Sequence, residues 1–222
     1  MATNGPTGAI LFEPRWPVAI TILAVMALMA VLPKSIRLIP VWVGIVIGAT
    51  VLVPIAAVGL SGAKKRWLRI EHAVTVFFFV YAVLAILANL AHVVHEMVAR
   101  SAEVSGLQLI GSSIALWANT ILMFSLLYWQ VDRGGPEARI AKSGARPDWL
   151  FPQEGAPAED VPESWRPVFV DYLFLGYMTA TAFSPTDTLP LTSRAKLLMM
   201  LESAISLGTI LIVAARAINI LG

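Results

Sequence analysis

Charged residues divide the chain into apolar intervals, and the lengths of those intervals predict its elements. A bilayer core of about 30 Å takes roughly 20 residues in helical form, so an interval of that size reads as a span. Five emerge, at about Trp16 to Leu32, Leu38 to Gly62, His72 to His95, Leu107 to Val131 and Thr192 to Ile220. The first is short and sits between Arg15 and Lys34; the second is followed by the basic cluster Lys64, Lys65, Arg66 and Arg69. Tyr128 and Trp129, closing the fourth, read as an interfacial aromatic belt.

Two segments break that rhythm. Residues 132–167, "DRGGPEARIAKSGARPDWLFPQEGAPAEDVPESWRP", are polar and rich in Gly and Pro, which predicts a long, partly ordered surface loop with Trp149, Phe151 and Trp165 as anchors. Next comes an uncharged run from Tyr172 to Thr186, too long for an ordinary loop and too short to cross a bilayer. A helix with Asp171 near its start must end before Pro185, because the residue preceding proline avoids the α region. That helix has about twelve residues and a length of roughly 18 Å. An end at mid-membrane leaves backbone groups unsatisfied unless it is buried in protein or lines a watery cavity, so the geometry predicts a re-entrant half-helix. On length alone, a helix lying in the interface is the alternative. The expected architecture is an all-α integral membrane protein with five transmembrane helices and one re-entrant pore-type half-helix. It divides into a four-helix region (1–131), the polar loop (132–167) and a pore-loop and inner-helix module (168–222).

Composition agrees with the pattern. The 222 residues are 58% hydrophobic and 14% charged, and a mean hydropathy of +0.76 lies in the membrane class. A net charge of +2 without a basic stripe interleaved with aromatics excludes a nucleic-acid partner. With no cysteine, disulfides, thiolate metal sites and Cys nucleophiles are excluded, leaving His and carboxylates as metal ligands. The start, "MATNGPTGAILFEPRW", has no basic residue ahead of Glu13 and Arg15, unlike a cleaved signal peptide. No nucleotide loop, haem pair or nucleophile motif is visible, so neither an enzyme nor a cofactor is expected.

Few residues carry chemistry. Glu202 falls about ten residues into the last helix, at membrane depth, where a carboxylate is costly and marks a functional or paired position. Thr179, Thr181 and Tyr177 are its expected partners. "NLAHVVHEM" sets Asn89, His92, His95 and Glu96 on one face of the third helix. His92, His95 and Glu96 together suit a divalent metal such as zinc, yet H-x-x-H-E matches neither H-E-x-x-H nor H-x-x-E-H; an interfacial polar helix end is the plainer reading. Gly44 and Gly48 form a GxxxG pair, and Trp117, Asn119, Thr120 and Ser125 are expected at helix contacts. Arg216 reads as an interfacial anchor.

Without gaps, "MTATAFSPTDTLPLTSRAKLLMMLE" resembles the pore loop and inner helix of the tetrameric potassium channel superfamily, whose pattern is T-x-T-T-V-G-Y-G-D-x-x-P-x-T followed by a helix with M-x-E. Thr179, Thr181, Asp187, Pro190, Thr192, Met200 and Glu202 fall in register. The resemblance covers about fifty residues and implies a homotetramer in a cell membrane, the bacterial inner membrane in particular. It puts Gly208 at the flexible inner-helix glycine, with Glu202 as inner-helix support. The stretch also looks like a group of bacterial membrane proteins with "AFSPTD" pore-loop-like segments, a likeness that implies a fold rather than an activity. The departure is at the filter, where Ala182, Phe183, Ser184, Pro185 and Thr186 replace T-V-G-Y-G. A carbonyl ladder needs glycine where φ is positive, and Pro185 fixes its own φ near about −65°. Selectivity among monovalent or divalent cations therefore falls to the oxygens of Thr181, Ser184 and Thr186 and a ring of Asp187 carboxylates. In the opposing reading "SPTD" is a helix-stop turn and no ion passes.

The expected function is a pore-loop, cation-channel-like protein of weak or unusual selectivity; the alternatives are a non-conducting, channel-derived scaffold or regulatory subunit, and a membrane metalloenzyme using the histidines. Twelve Lys and Arg fall on one side of the bilayer against four on the other, which predicts a cytoplasmic N-terminus and inverts the placement found in potassium channels.

Overall fold

The computed structural model describes residues 15–32, 37, 39–61, 65–99, 106–140, 145–162, 165–181 and 187–221. Among the described residues the regular structure is all helical apart from one two-residue strand pair. The helices are α1 (Trp16–Val31), α2 (Val41–Ser61), α3 (Lys65–Ala99), α4 (Gly106–Val131), the short α5 (Pro136–Ile140), α6 (Phe169–Thr181) and α7 (Ser193–Leu221). Among the described residues, α2, α3, α4 and α7 are long and apolar enough to cross a membrane. Helix α1 has 16 residues, a length of about 24 Å, which is why it falls short of the other four.

Helix α4 is the hub: 67% of its span is buried, against 28% for α2 and 33% for α7. It packs against α1, α3, α6 and α7, while α2 closes the far side through α1 and α3. The outward faces carry large apolar side chains, among them Phe77, Leu84, Leu197 and Met200. In a membrane such side chains meet lipid and cost nothing, which inverts the rule for soluble proteins.

The membrane-capable part of α3 is Ile70–His92, so the basic residues precede the third span as expected, although the helix itself starts at Lys65 and includes Lys65, Arg66 and Arg69. No Gly or Pro interrupts its 35 residues, and at about 1.5 Å each they exceed the membrane's hydrocarbon thickness, so polar turns continue the helix beyond it. One expectation changes: of the polar loop, residues 132–140, 145–162 and 165–167 are described, and part of them is buried rather than on the surface. It reverses after α4 through Arg133, Gly134 and Gly135, at φ 54°, 80° and 98°, a path that two glycines make accessible. It then folds back as a cap on the bundle. Trp149 and Phe151 are buried core residues rather than surface anchors. Trp149 meets Tyr128 with the rings tilted at 54° and their centroids 4.8 Å apart, and Phe151 meets Tyr172 edge-on at 5.3 Å. Strand β1 (Trp149–Leu150) pairs antiparallel with β2 (Leu189–Pro190), Trp149 opposite Pro190.

Candidate functional site

The cap is pinned by two buried aspartates. Asp132, just past the C-terminus of α4, accepts the Tyr172 hydroxyl at 2.6 Å on Oδ2 and the Asp148 amide at 2.8 Å on Oδ1. Asp148 in turn accepts the Thr192 hydroxyl at 2.6 Å and an ion pair from Arg194, while its carbonyl takes the Leu191 amide at 2.8 Å. Arg139 donates to the carbonyls of Trp129 at 2.6 Å and Asp132 at 3.1 Å. It thereby satisfies the last carbonyls of α4, as a cation at a helix C-terminus does, and its guanidinium lies over the Tyr172 ring at 5.0 Å. The same end holds the ion pair between Arg15 and Glu71 at 3.3 Å, with Arg15 over Trp129. The two aspartates and the Arg15 to Glu71 pair are not visible in sequence, because Asp132 and Asp148 lie 16 positions apart and Arg15 and Glu71 lie 56 apart.

Helix α6 starts at this cap. Asp171 Oδ2 accepts the Val168 amide at 2.7 Å, while the Asp171 amide donates to the Val168 carbonyl at 2.9 Å, a reciprocal cap of the first turn. Desolvation raises the Asp171 carboxyl above its ordinary range, against the lowering effect of those amides. Near the far end, Thr179 and Thr181 turn their hydroxyls onto their own helix: Thr179 donates to Leu175 at 2.8 Å and Thr181 to Tyr177 at 3.0 Å. The Thr179 carbonyl accepts the Ser203 hydroxyl at 3.2 Å. Asp187 is exposed. Phe183, Ser184, Pro185 and Thr186 lie outside the described residues.

Glu202 is fully buried, and its partner is not the one expected. The Tyr128 hydroxyl donates to Glu202 Oε2 at 2.5 Å, from α4 rather than from α6. Of the three expected partners, Tyr177 is 46% exposed and stacks edge-on with Trp117, Thr181 bonds its own helix, and Thr179 adjoins Tyr128 instead. Tyr128 and Trp129 are buried within the bundle, so they form no lipid-facing belt. Gly176 sets α6 against this pair so tightly that an added side-chain carbon would stand 2.5 Å from Ser125 Oγ and 3.4 Å from Glu202 Oε1. An uncharged, unsubstituted glycine among apolar residues gave no sequence signal for that contact.

The other sequence candidates are placed as follows. Gly208 lies within the unbroken helix α7, with Leu90 of α3 at ordinary contact distance. His92 is half-buried and His95 exposed in the last turns of α3. The Glu96 side chain lies outside the described positions, among which no group of three His, Asp or Glu stands in metal-binding reach. The side chain of Arg216 also lies outside them. Thr120 and Ser125 do not bond across helices; each donates to the carbonyl one turn back, Leu116 and Ile121 respectively. Gly48 does meet another helix, facing Met26 of α1, whereas Gly44 has open space beside it.

No protein-family model, curated protein or solved structure matches this chain.

Proposed function

We propose that this is a pore-loop, cation-channel-like membrane protein that acts as a homotetramer, with four α6 half-helices and four α7 helices around a common axis and a ring of Asp187 carboxylates at its mouth. One observation carries the reading. The first turns of α6 and α7 are fastened to the same cap, through Tyr172 to Asp132 and through Thr192 and Arg194 to Asp148. The far end of α6, at Thr179, meets Ser203, which is about 15 Å along α7. Thirteen helical residues that descend from the cap, followed by a strand pair back at the cap, suit a re-entrant half-helix rather than a span. In this reading α1 is a short fifth span.

Arg15, Arg139 and Arg194 gather at the cap end. This supports placing the cap in the cytoplasm by the positive-inside rule, with the half-helix entering from that side. A C-terminal reporter active only in the cytoplasm overturns that orientation.

A second reading, a non-conducting channel-derived scaffold or regulatory subunit, has its own support. The buried polar groups Thr179, Glu202, Ser206 and Thr209 are enclosed within a single chain, and the exposed stripe Leu197, Met200, Leu207 and Leu211 is apolar. Cation flux through proteoliposomes separates the two. The channel reading expects flux in the wild type that falls several-fold in Asp187→Asn, and it fails if both proteins are equally silent.

A further inference from the structure

Helices α1, α2, α3 and α4 surround a cavity of about 50 Å³, several times the room that one water needs. Its walls are mostly apolar, formed by Val25 and Met26 of α1, Ile45 of α2, and Phe78 and Ala82 of α3. Gly44 belongs to the α2 wall, and a side-chain carbon added there meets nothing within 4 Å, so that side is open. Pro40 and Ile45 line the cavity and are also exposed on the outside of the bundle. In a membrane that opening faces lipid.

One buried acceptor lines this space. Asn119 of α4 is 1% exposed, and its Oδ1 accepts no hydrogen bond among the described residues. Across the cavity, Asn89 of α3 turns its amide onto the Ala85 carbonyl at 2.7 Å. An amide oxygen without a donor is destabilising in an apolar interior, and a group that donates one hydrogen removes that cost. Arg37 also lines the cavity, and its Nε is buried without a partner. Its guanidinium, however, is held by the Ala30 carbonyl at 3.2 Å and by the Leu32 carbonyl, at the negative end of α1. The charge is thereby compensated, and an anion placed on Arg37 leaves Asn119 unanswered.

We propose that this cavity binds the hydroxyl end of a membrane-borne alcohol, an uncharged molecule with an apolar body, whose O–H donates to Asn119 Oδ1. Apolar walls select the body, and the unpartnered acceptor selects a group with a hydrogen to give. The enclosed volume fits that end alone, so the rest of the body passes out beside Ile45 into lipid. All the lining residues lie on α1 to α4 or on the link between α1 and α2, so the site stands apart from α6, α7 and the proposed pore.

The test is thermal unfolding of the full-length protein at fixed detergent, pH and ionic strength, with octanol, octyl methyl ether or sodium octanoate added. The ether keeps the body of the alcohol and removes its hydrogen, so the difference between the two reads the donor. Octanol is expected to raise the Tm saturably above the value in the ether, and octanoate to give no more than the ether. Asn119→Leu, which breaks no hydrogen bond to Oδ1, keeps the fold and raises the half-saturating octanol concentration about tenfold. Gly44→Leu fills the open side and abolishes the octanol shift. Equal Tm values in octanol and the ether overturn the proposal and assign water to Asn119. An octanol shift undiminished in either variant overturns it by locating the alcohol elsewhere. A larger shift in octanoate, lost in Arg37→Gln, overturns it in favour of an anion at Arg37.

Discussion

Tyr172 donates to Asp132 at 2.6 Å, joining the first turn of α6 to the end of α4 across 40 positions of sequence. The same aspartate holds the cap through the Asp148 amide, so one buried carboxylate fixes both where α6 begins and how the polar loop returns. Loss of the hydroxyl in Tyr172→Phe keeps the ring contacts with Phe151 and Arg139 while leaving Asp132 Oδ2 short of a donor. The expected cost is about 1 to 3 kcal/mol, read as a lower Tm in detergent; an unchanged Tm shows that water replaces the hydroxyl.

The two ends of the Asp148 to Arg194 pair differ in exposure, at 3% and 56% of the side chain. Arg194→Ala therefore removes a screened partner and costs under about 1 kcal/mol, because Thr192 still serves the carboxylate. Asp148→Ala removes the anchor of both Thr192 and Arg194 and costs about 2 to 3 kcal/mol, with faster proteolysis of the cap. The ordering of the two variants is the check, and equal effects contradict it.

Gly176→Ala forces a methyl to within 2.5 Å of Ser125 Oγ. An overpacked junction of this kind loses about 1 to 3 kcal/mol. Ser125→Ala in the same chain removes the nearest atom and is expected to recover part of the loss; a double-mutant cycle with no coupling shows that α6 shifts instead.

Tyr128→Phe takes away the hydrogen bond that Glu202 Oε2 accepts. A cost of about 1 to 3 kcal/mol follows for the stranded carboxyl group, against a change within about 0.5 kcal/mol for Tyr177→Phe, whose side chain is on the surface. Thermal unfolding of the two variants side by side decides whether the buried tyrosine is a structural partner.

The helices were legible because hydrocarbon imposes a length rule that sequence obeys residue by residue. The intervals predicted for the second, fourth and last spans agree with α2, α4 and α7 to within a few residues, and the helix of about twelve residues expected before Pro185 is the thirteen-residue α6. The third span, expected from about His72 to His95, agrees with the membrane-capable stretch Ile70–His92, while the helix that carries it begins earlier, at Lys65, since nothing in Lys65–Arg69 breaks one. Glu202 stood out in the sequence as a carboxylate within an apolar helix, and it is buried, while its partner was not legible.

By itself, the sequence determined what the backbone demands locally: which stretches are helical, which helix is too short to span, where prolines and glycines interrupt, and that one carboxylate lies within the last apolar helix. Tertiary structure alone decided which polar groups meet. Asp132 with Tyr172, Asp148 with Thr192, Tyr128 with Glu202, and Gly176 against Ser125 are joined across separate segments of the chain. The physical reason is that a buried polar atom is stabilised by whichever partner the packing brings within about 3 Å, and no periodicity in a single chain records which helix will stand beside which.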